Sequence, residues 1–151
     1  MKFRKMFRPA EFEVVDYVKE YLSKHDDIEI LIGCDSQNHG AETVYAVVVA
    51  MYRPGKGAHI IFRKWKSPKE FSRPERLLNE VWFSIEVAEL LTGAGIKKPA
   101  YIDIDINPDP RYKSNQVFRQ AIGWVEAYGY TPRAKHDGVM ATYMADSLVK
   151  S

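Results

Sequence analysis

The sequence predicts a mixed α/β fold with a five-stranded sheet, made of three antiparallel strands followed by two crossover strands. Helices should cover both faces, with an extra helix at the N-terminus. Three β-rich segments follow one another with only short turns between them, which is typical of an antiparallel meander. Two later β-rich segments alternate with amphipathic segments, which is typical of crossover units. At 151 residues the chain fits one domain over 1–151, in which 1–25 form a leading basic segment and helix.

The first half of the chain predicts one helix and three strands. Its elements are a helix over 10–23, a strand over 28–35, a polar turn over 36–42, a strand over 43–52, a turn over 53–57 and a strand over 59–65. Apolar residues recur at helical spacing between Phe12 and Leu22. The strands are rich in valine, isoleucine and tyrosine, and the second turn contains Pro54 and two glycines.

The second half predicts three helices that alternate with two strands. Its elements are a helix from Ser72 to about 93–95, a strand over 101–106, a helix over 115–128, a strand around 130–135 and a final helix from Asp137 and Gly138. Ser72 and Glu75 form a capping box around an early proline. Gly129 closes the second of these helices.

Acidic residues on two strands are the most informative feature of the sequence. After the leading helix, the order of elements resembles the ribonuclease H fold, in which the first and fourth strands lie side by side. Asp35, at the end of the first strand, could then face an acid of the fourth. Asp103 and Asp105 share one face of that strand, so both remain possible. Asp105 is preferred because it lies nearer the C-terminal end, where ligands collect in open α/β sheets.

Two helices supply further acids. Glu80 borders the apolar stripe of its helix and could point along the sheet toward Asp35, with Glu75 or Glu86 behind it. An ordinary solvated glutamate is the alternative. Asp137 precedes a glycine at a helix start, where an N-cap is the ordinary role. The same position would place it beside the first strand, so capping and metal binding compete for this side chain.

Three motifs carry a resemblance to a known family. They are Gly-Cys-Asp-Ser-Gln at 33–37, Asp-Ile-Asp-Ile-Asn at 103–107, and Lys-His-Asp at 135–137 followed by Ala141, Tyr143, Ala145 and Asp146. From the first strand to the final helix, the chain resembles the YkuK-type ribonuclease H-like family, a bacterial group of the ribonuclease H-like superfamily. The resemblance implies that Asp35, Glu80, Asp105 and Asp137 fill the four acidic roles of that superfamily.

Clustered carboxylates predict a cation site. They repel one another unless cations neutralise them, and hard oxygen ligands suit Mg²⁺ or Mn²⁺. We therefore expect the four acids to hold two such ions and to catalyse phosphodiester hydrolysis in RNA, DNA or a hybrid. Ser36, Gln37 and Asn107 are candidates for contacts with substrate or with ordered water, and polar turn residues are the alternative.

Other functions compete with this hypothesis. A non-catalytic ribonuclease H-like module would bind nucleic acid or protein through Trp65 and the basic segment 63–76. A thiol hydrolase would need Cys34 with His39 or His136, but strand alternation directs Cys34 away from Asp35 and into the core. The histidines lack the close paired spacing of a zinc site; they are His25, His39, His59 and His136.

Charge and composition set the remaining expectations. The net charge is only +2, so a nucleic-acid partner would depend on the basic segments 2–8 and 63–76, for which a solvated surface is the alternative. The chain has one cysteine, no apolar leader and no segment of membrane length. We therefore expect a soluble cytoplasmic protein with nucleic acid as its partner and no membrane contact.

Overall fold

The computed structural model describes residues 1–105, 115–134, 145, 148 and 149. Seven strands and three helices lie in these residues: β1 (Lys2–Lys5), β2 (Glu11–Glu13), α1 (Val14–Lys24), β3 (Glu29–His39), β4 (Glu42–Arg53), β5 (Gly57–Pro68), α2 (Arg73–Gly93), β6 (Tyr101–Ile104), α3 (Asn115–Ala127) and β7 (Pro132–Ala134). The strands form one mixed sheet in the order β2-β1-β5-β4-β3-β6-β7. The fold is therefore mixed α/β, as the sequence predicts.

The central meander is confirmed, and its strands are longer than predicted. β3 pairs antiparallel with β4 along its whole length, from Glu29 opposite Tyr52 to His39 opposite Glu42. β4 pairs antiparallel with β5 along the full length of both strands. The predicted polar turn over 36–42 is wrong because residues 36–39 continue the strand, and the chain reverses only at Gly40, whose φ is 59°.

The five-stranded sheet is also wrong, because the N-terminal segment adds two strands. β1 pairs with β5 only through Arg4 and Lys5, and with β2 through all three β2 residues. Phe3 explains why the segment folds back, since this side chain is 1% exposed in the core between charged neighbours. Phe12 pairs with Phe3, so the helix predicted to start at residue 10 begins at Val14.

The crossover half of the sheet places the first predicted strand beside the fourth. β3 and β6 are parallel, with Leu31 opposite Tyr101 and Gly33 opposite Asp103. β6 is in turn parallel to β7. Before α2, the Ser72 side chain accepts a hydrogen bond from the backbone N–H of Glu75, which is one half of the predicted capping box. The other half is wrong, because the backbone N–H of Ser72 donates to the Glu70 carboxylate at 3.0 Å and not to that of Glu75.

Apolar residues cover both faces of the sheet. On one face, alternate β3 residues such as Ile30, Ile32 and Cys34 pack with the helices α1, α2 and α3. On the other face, Leu31 and its neighbours pack against Ala145, Leu148 and Val149, which are helical. Asp137, where the final helix is predicted to start, lies outside the described residues. None of the helices in the described part is long and apolar enough to span a bilayer.

Candidate functional site

One cleft of about 200 Å³ receives acids from three elements. Asp35 comes from β3, Glu80 from α2, and Asp105 directly follows β6. Polar and basic residues complete the lining, together with one leucine: Ser36, Gln37, Asn38, Arg73, Arg76 and Leu77. Three of the four predicted acids therefore line the same cleft, and the fourth, Asp137, lies outside the described residues.

The parallel pairing of β3 and β6 accounts for the position of two acids. The pairing of the two strands ends with Gly33 opposite Asp103, so two further residues along each strand direction bring Asp35 level with Asp105. Asp35 is 7% exposed, and its Oδ1 accepts a hydrogen bond of 2.8 Å from the backbone N–H of Ser36. The sheet thus delivers both carboxylates to the same end of adjoining strands.

Asp103, the alternative to Asp105, contacts a different partner. Its carboxylate is buried and accepts hydrogen bonds from Arg133 of β7, from Nε at 2.9 Å and from Nη2 at 3.3 Å. The Arg133 guanidinium also lies over the ring of Tyr101, 4.6 Å from its centroid. Asp105 lines the acid cleft and Asp103 does not. The role of Asp105 as a metal ligand stays a prediction.

Glu80 is the most perturbed acid of the cleft. It is 4% exposed, and its Oε2 accepts a short hydrogen bond from the Ser36 hydroxyl. Burial raises the pKa of Glu80 well above its ordinary value of 4.5, and the nearby charges of Asp35 and Asp105 raise it further. The hydrogen bond from Ser36 and the positive charge of Arg76 act in the opposite direction. The pKa of Glu80 is therefore set first by burial and second by the neighbouring acids.

The other glutamates considered on this helix lie elsewhere. Glu75 is exposed in the first turn of α2, and Glu86 lines a separate cavity beside β1. Neither lines the acid cleft. Of the α2 glutamates, only Glu80 does so.

Arg76 is a cleft residue that the sequence placed only in a basic segment. Its Nη1 donates to the backbone oxygen and to the hydroxyl of Ser36, each at 2.9 Å. It precedes Glu80 by one helical turn, so both side chains lie on the same side of α2. That i, i+4 spacing is the signal in the sequence that could have identified Arg76.

The predicted substrate-contact residues differ in their surroundings. Ser36 bonds both Arg76 and Glu80, so its hydroxyl ties β3 to α2. Gln37 lines the cleft, and its Oε1 is buried with no hydrogen-bond partner in the described part of the chain. Asn107 lies outside the described residues. The contacts of these residues with substrate stay predictions.

The donor set of the cleft suits a hard cation. Asp35, Glu80 and Asp105 offer only oxygen atoms, and Glu80 carries a pKa that a nearby cation would lower. Within the residues that the structure describes, no group of three or more His, Cys, Asp or Glu side chains is arranged to hold a metal ion. The chemistry of the donors thus fits Mg²⁺ or Mn²⁺, while a complete coordination sphere is not formed by these residues alone.

Cys34 does not have the environment of a nucleophile. It is 2% exposed in the helix-covered core, and burial raises the pKa of its thiol well above the usual range. The negative charges of Glu80 and Asp35 act in the same direction. The thiolate that a thiol hydrolase needs is therefore disfavoured here.

A family model identifies the family of the chain, and two solved structures show a weaker likeness to it. A family model described as ribonuclease H-like matches residues 13–150. The N-terminal ribonuclease H domain of Rv2228c from Mycobacterium tuberculosis, solved as a fusion with maltose-binding protein, is similar at 10% identity and a TM-score of 0.34, over 82% of this chain and 95% of that chain. Endonuclease V from Ciona intestinalis, solved with a 24-mer DNA containing an inosine followed by a ribo-adenosine, is similar at 15% identity and a TM-score of 0.39, over 89% of this chain and 67% of that chain. No curated protein shows a significant match to the chain.

Proposed function

Because the chain belongs to the ribonuclease H-like family, we propose that it is a divalent-metal-dependent nuclease that hydrolyses phosphodiester bonds in RNA, DNA or a hybrid. The observation that carries the proposal is the cleft in which Asp35, Glu80 and Asp105 lie together. Carboxylates that lie this close repel one another, and a divalent cation would neutralise them.

Each acid has a place in this proposal. Mg²⁺ or Mn²⁺, as two ions, would be held by Asp35, Glu80 and Asp105, with Asp137 as the fourth predicted ligand. Bound there, the ions would activate water and stabilise the leaving oxygen. Ser36 contacts two of these acids. Its backbone N–H donates to Asp35, the preceding residue of β3, and its hydroxyl donates to Glu80 of α2.

Positive charge at the same cleft supports a polyanionic substrate. Arg73 and Arg76 both line the cleft, two turns and one turn, respectively, before Glu80 on the α2 helix. Arginine side chains neutralise and orient phosphate groups, which acids alone would repel. A nucleic-acid strand fits this combination of acids and arginines.

Cleavage of labelled nucleic acids tests the proposal. Single strands, duplexes and hybrids are incubated with Mg²⁺ or Mn²⁺, and cleavage should depend on the ion and disappear in Asp35→Asn. The matched control is Asp26→Asn, which changes an exposed acid outside the cleft and should cleave like the wild type. Cleavage that persists in a folded Asp35→Asn protein would assign the activity to another site or to a contaminant.

Metal binding is tested without any substrate. An ion present at 100 times its dissociation constant stabilises the fold by about 2.7 kcal/mol, which corresponds to a rise in Tm of roughly 5–10 °C for a domain of this size. Mn²⁺ should produce such a rise in the wild type and a much smaller one in Asp105→Asn. Equal rises in both proteins would remove Asp105 from the metal site.

A non-catalytic binding module is the alternative function. Trp65, its main candidate, already contacts three side chains: Tyr45, Phe83 and Arg63. These contacts account for the tryptophan as part of the packing between β4, β5 and α2. Oligonucleotide binding without cleavage under any metal condition would favour the module over the nuclease.

A further inference from the structure

Arg76 is held in a fixed orientation at the wall of the acid cleft. Its Nη1 makes two hydrogen bonds of 2.9 Å to Ser36, one to the backbone oxygen and one to the hydroxyl. Ser36 is itself fixed in β3 by its pairing with Tyr45. The guanidinium plane is therefore set by the sheet and does not depend on solvent contacts.

The Nε atom of the Arg76 guanidinium is buried and lacks a hydrogen-bond partner among the described residues. A buried donor left without an acceptor destabilises the fold, so native structures rarely keep one without a reason. Glu80 lines the same cleft, and its carboxylate accepts a hydrogen bond from the Ser36 hydroxyl.

The Nε side of the guanidinium suits an oxyanion. Nη1 donates to Ser36, and Nε lies on the edge of an arginine that, together with Nη2, can bind two oxygens of a phosphate side by side. Gln37 Oε1 is a second buried polar atom of this cleft without a partner among the described residues. Both observations indicate that the cleft wall is built for a ligand that contributes polar atoms.

We propose that the Nε edge of Arg76 binds a phosphate of the substrate strand beside the acids. The identity of the anion rests on the proposed function, whereas the donor geometry does not. Arg76 thereby places the phosphodiester next to Glu80, one helical turn further along α2. The neighbouring Arg73 is exposed and contributes general positive charge.

Binding measured in a cleavage-deficient protein tests this contact. The Kd of a labelled oligonucleotide is measured by fluorescence anisotropy for three proteins. They are Asp35→Asn alone, Asp35→Asn with Arg76→Gln, and Asp35→Asn with Arg119→Gln. Arg119 is exposed on α3, so Arg119→Gln removes the same charge at a position outside the cleft. Arg76→Gln should raise Kd about tenfold or more, as expected for a lost charge-assisted hydrogen bond, and Arg119→Gln less than about twofold. Arg76→Lys keeps the charge without the planar fork and should recover only part of the affinity.

Neutral backbone substitutions identify the phosphate. A single methylphosphonate is moved along the oligonucleotide, and its effect on Kd is measured with and without Arg76→Gln. At the contacted position the substitution should weaken binding to the arginine protein and have little effect on the glutamine variant, as in a double-mutant cycle. Equal effects in both backgrounds at every position would overturn the proposal.

The outcomes separate this inference from the proposed nuclease. If the wild type cleaves and Arg76→Gln cleaves with the same KM, the phosphate contact is overturned and the proposed nuclease stands. Loss of oligonucleotide binding in Arg76→Gln, with no cleavage by any protein, would sustain the contact and remove hydrolysis. If Arg76→Gln abolishes the rise in Tm that Mn²⁺ produces but leaves the oligonucleotide Kd unchanged, Arg76 acts on the acids of the cleft. This result would also overturn the phosphate contact.

Discussion

Replacing Glu80 with glutamine should stabilise the metal-free protein at neutral pH, by an amount that grows as the pH rises. Burial and the charge of Asp35 raise the pKa of Glu80 in the folded state above its ordinary value of 4.5. Between these two pKa values, the folded protein holds a proton that the unfolded chain releases. Raising the pH therefore favours unfolding of the wild type, and glutamine at position 80 removes this dependence.

The size of the effect follows from proton linkage. One proton released on unfolding lowers the free energy of unfolding by up to about 1.4 kcal/mol per pH unit. This loss begins above pH 4.5 and ends where the pH passes the raised pKa of Glu80 in the folded state. The Glu80→Gln protein keeps an oxygen that can accept from Ser36, so packing and hydrogen bonding change little.

Urea denaturation in EDTA at pH 5, 6 and 7 measures this difference. The free energy of unfolding of Glu80→Gln minus that of the wild type should increase with pH. Glu126→Gln, an exposed substitution on α3, should follow the wild type at each pH. A difference between Glu80→Gln and the wild type that is constant over this range, or that falls, would refute the electrostatic reasoning. Saturating Mn²⁺ should remove the advantage of the variant, because the ion stabilises the carboxylate form.

Two further substitutions test the packing around the site. Arg133→Met removes the charged hydrogen bonds to the fully buried Asp103 carboxylate and should lower the free energy of unfolding by about 3 kcal/mol, as measured by urea denaturation. Lys24→Met breaks an exposed ion pair and should leave the urea midpoint unchanged; equal losses in both variants would contradict the assignment. Ser84→Ala should raise the free energy of unfolding by about 1 kcal/mol, since the buried Ser84 hydroxyl has no hydrogen-bond partner among the described residues. A midpoint at or below that of the wild type would show that this hydroxyl is satisfied in solution.

The central strands of the fold were predictable because their signal is local. Apolar, β-branched runs bounded by turn residues define β3, β4 and β5, and the N-cap Ser72 defines the start of α2. The strands β1 and β2 were not predicted, because they are three or four residues long and mostly charged. Their pairing depends on burial of Phe3 and Phe12 against distant elements, which no local pattern reports.

The acids of the candidate site were predictable from the sequence, but the contacts that distinguish them were not. Strand periodicity alone left both Asp103 and Asp105 open, because it assigns both to one face of β6. Arg133 on β7 distinguishes them, since it pairs with Asp103 from thirty residues further along the chain. The role of Arg76 depends on its contact with Ser36, forty residues away, and this contact forms only when α2 packs on β3.

The energetics of Glu80 favour a functional reason for the acid. A buried carboxylate beside Asp35 lowers the stability of the metal-free fold, and glutamine in its place would fill the same space without the charge. Apolar burial on the same helix offsets this destabilisation, because Leu77, Val81 and Ile85 of α2 are all buried in the core. A cation that neutralises the cleft would both restore the lost stability and create a Lewis-acidic site. Under the proposed function, stability and metal binding would therefore be linked through the same carboxylate.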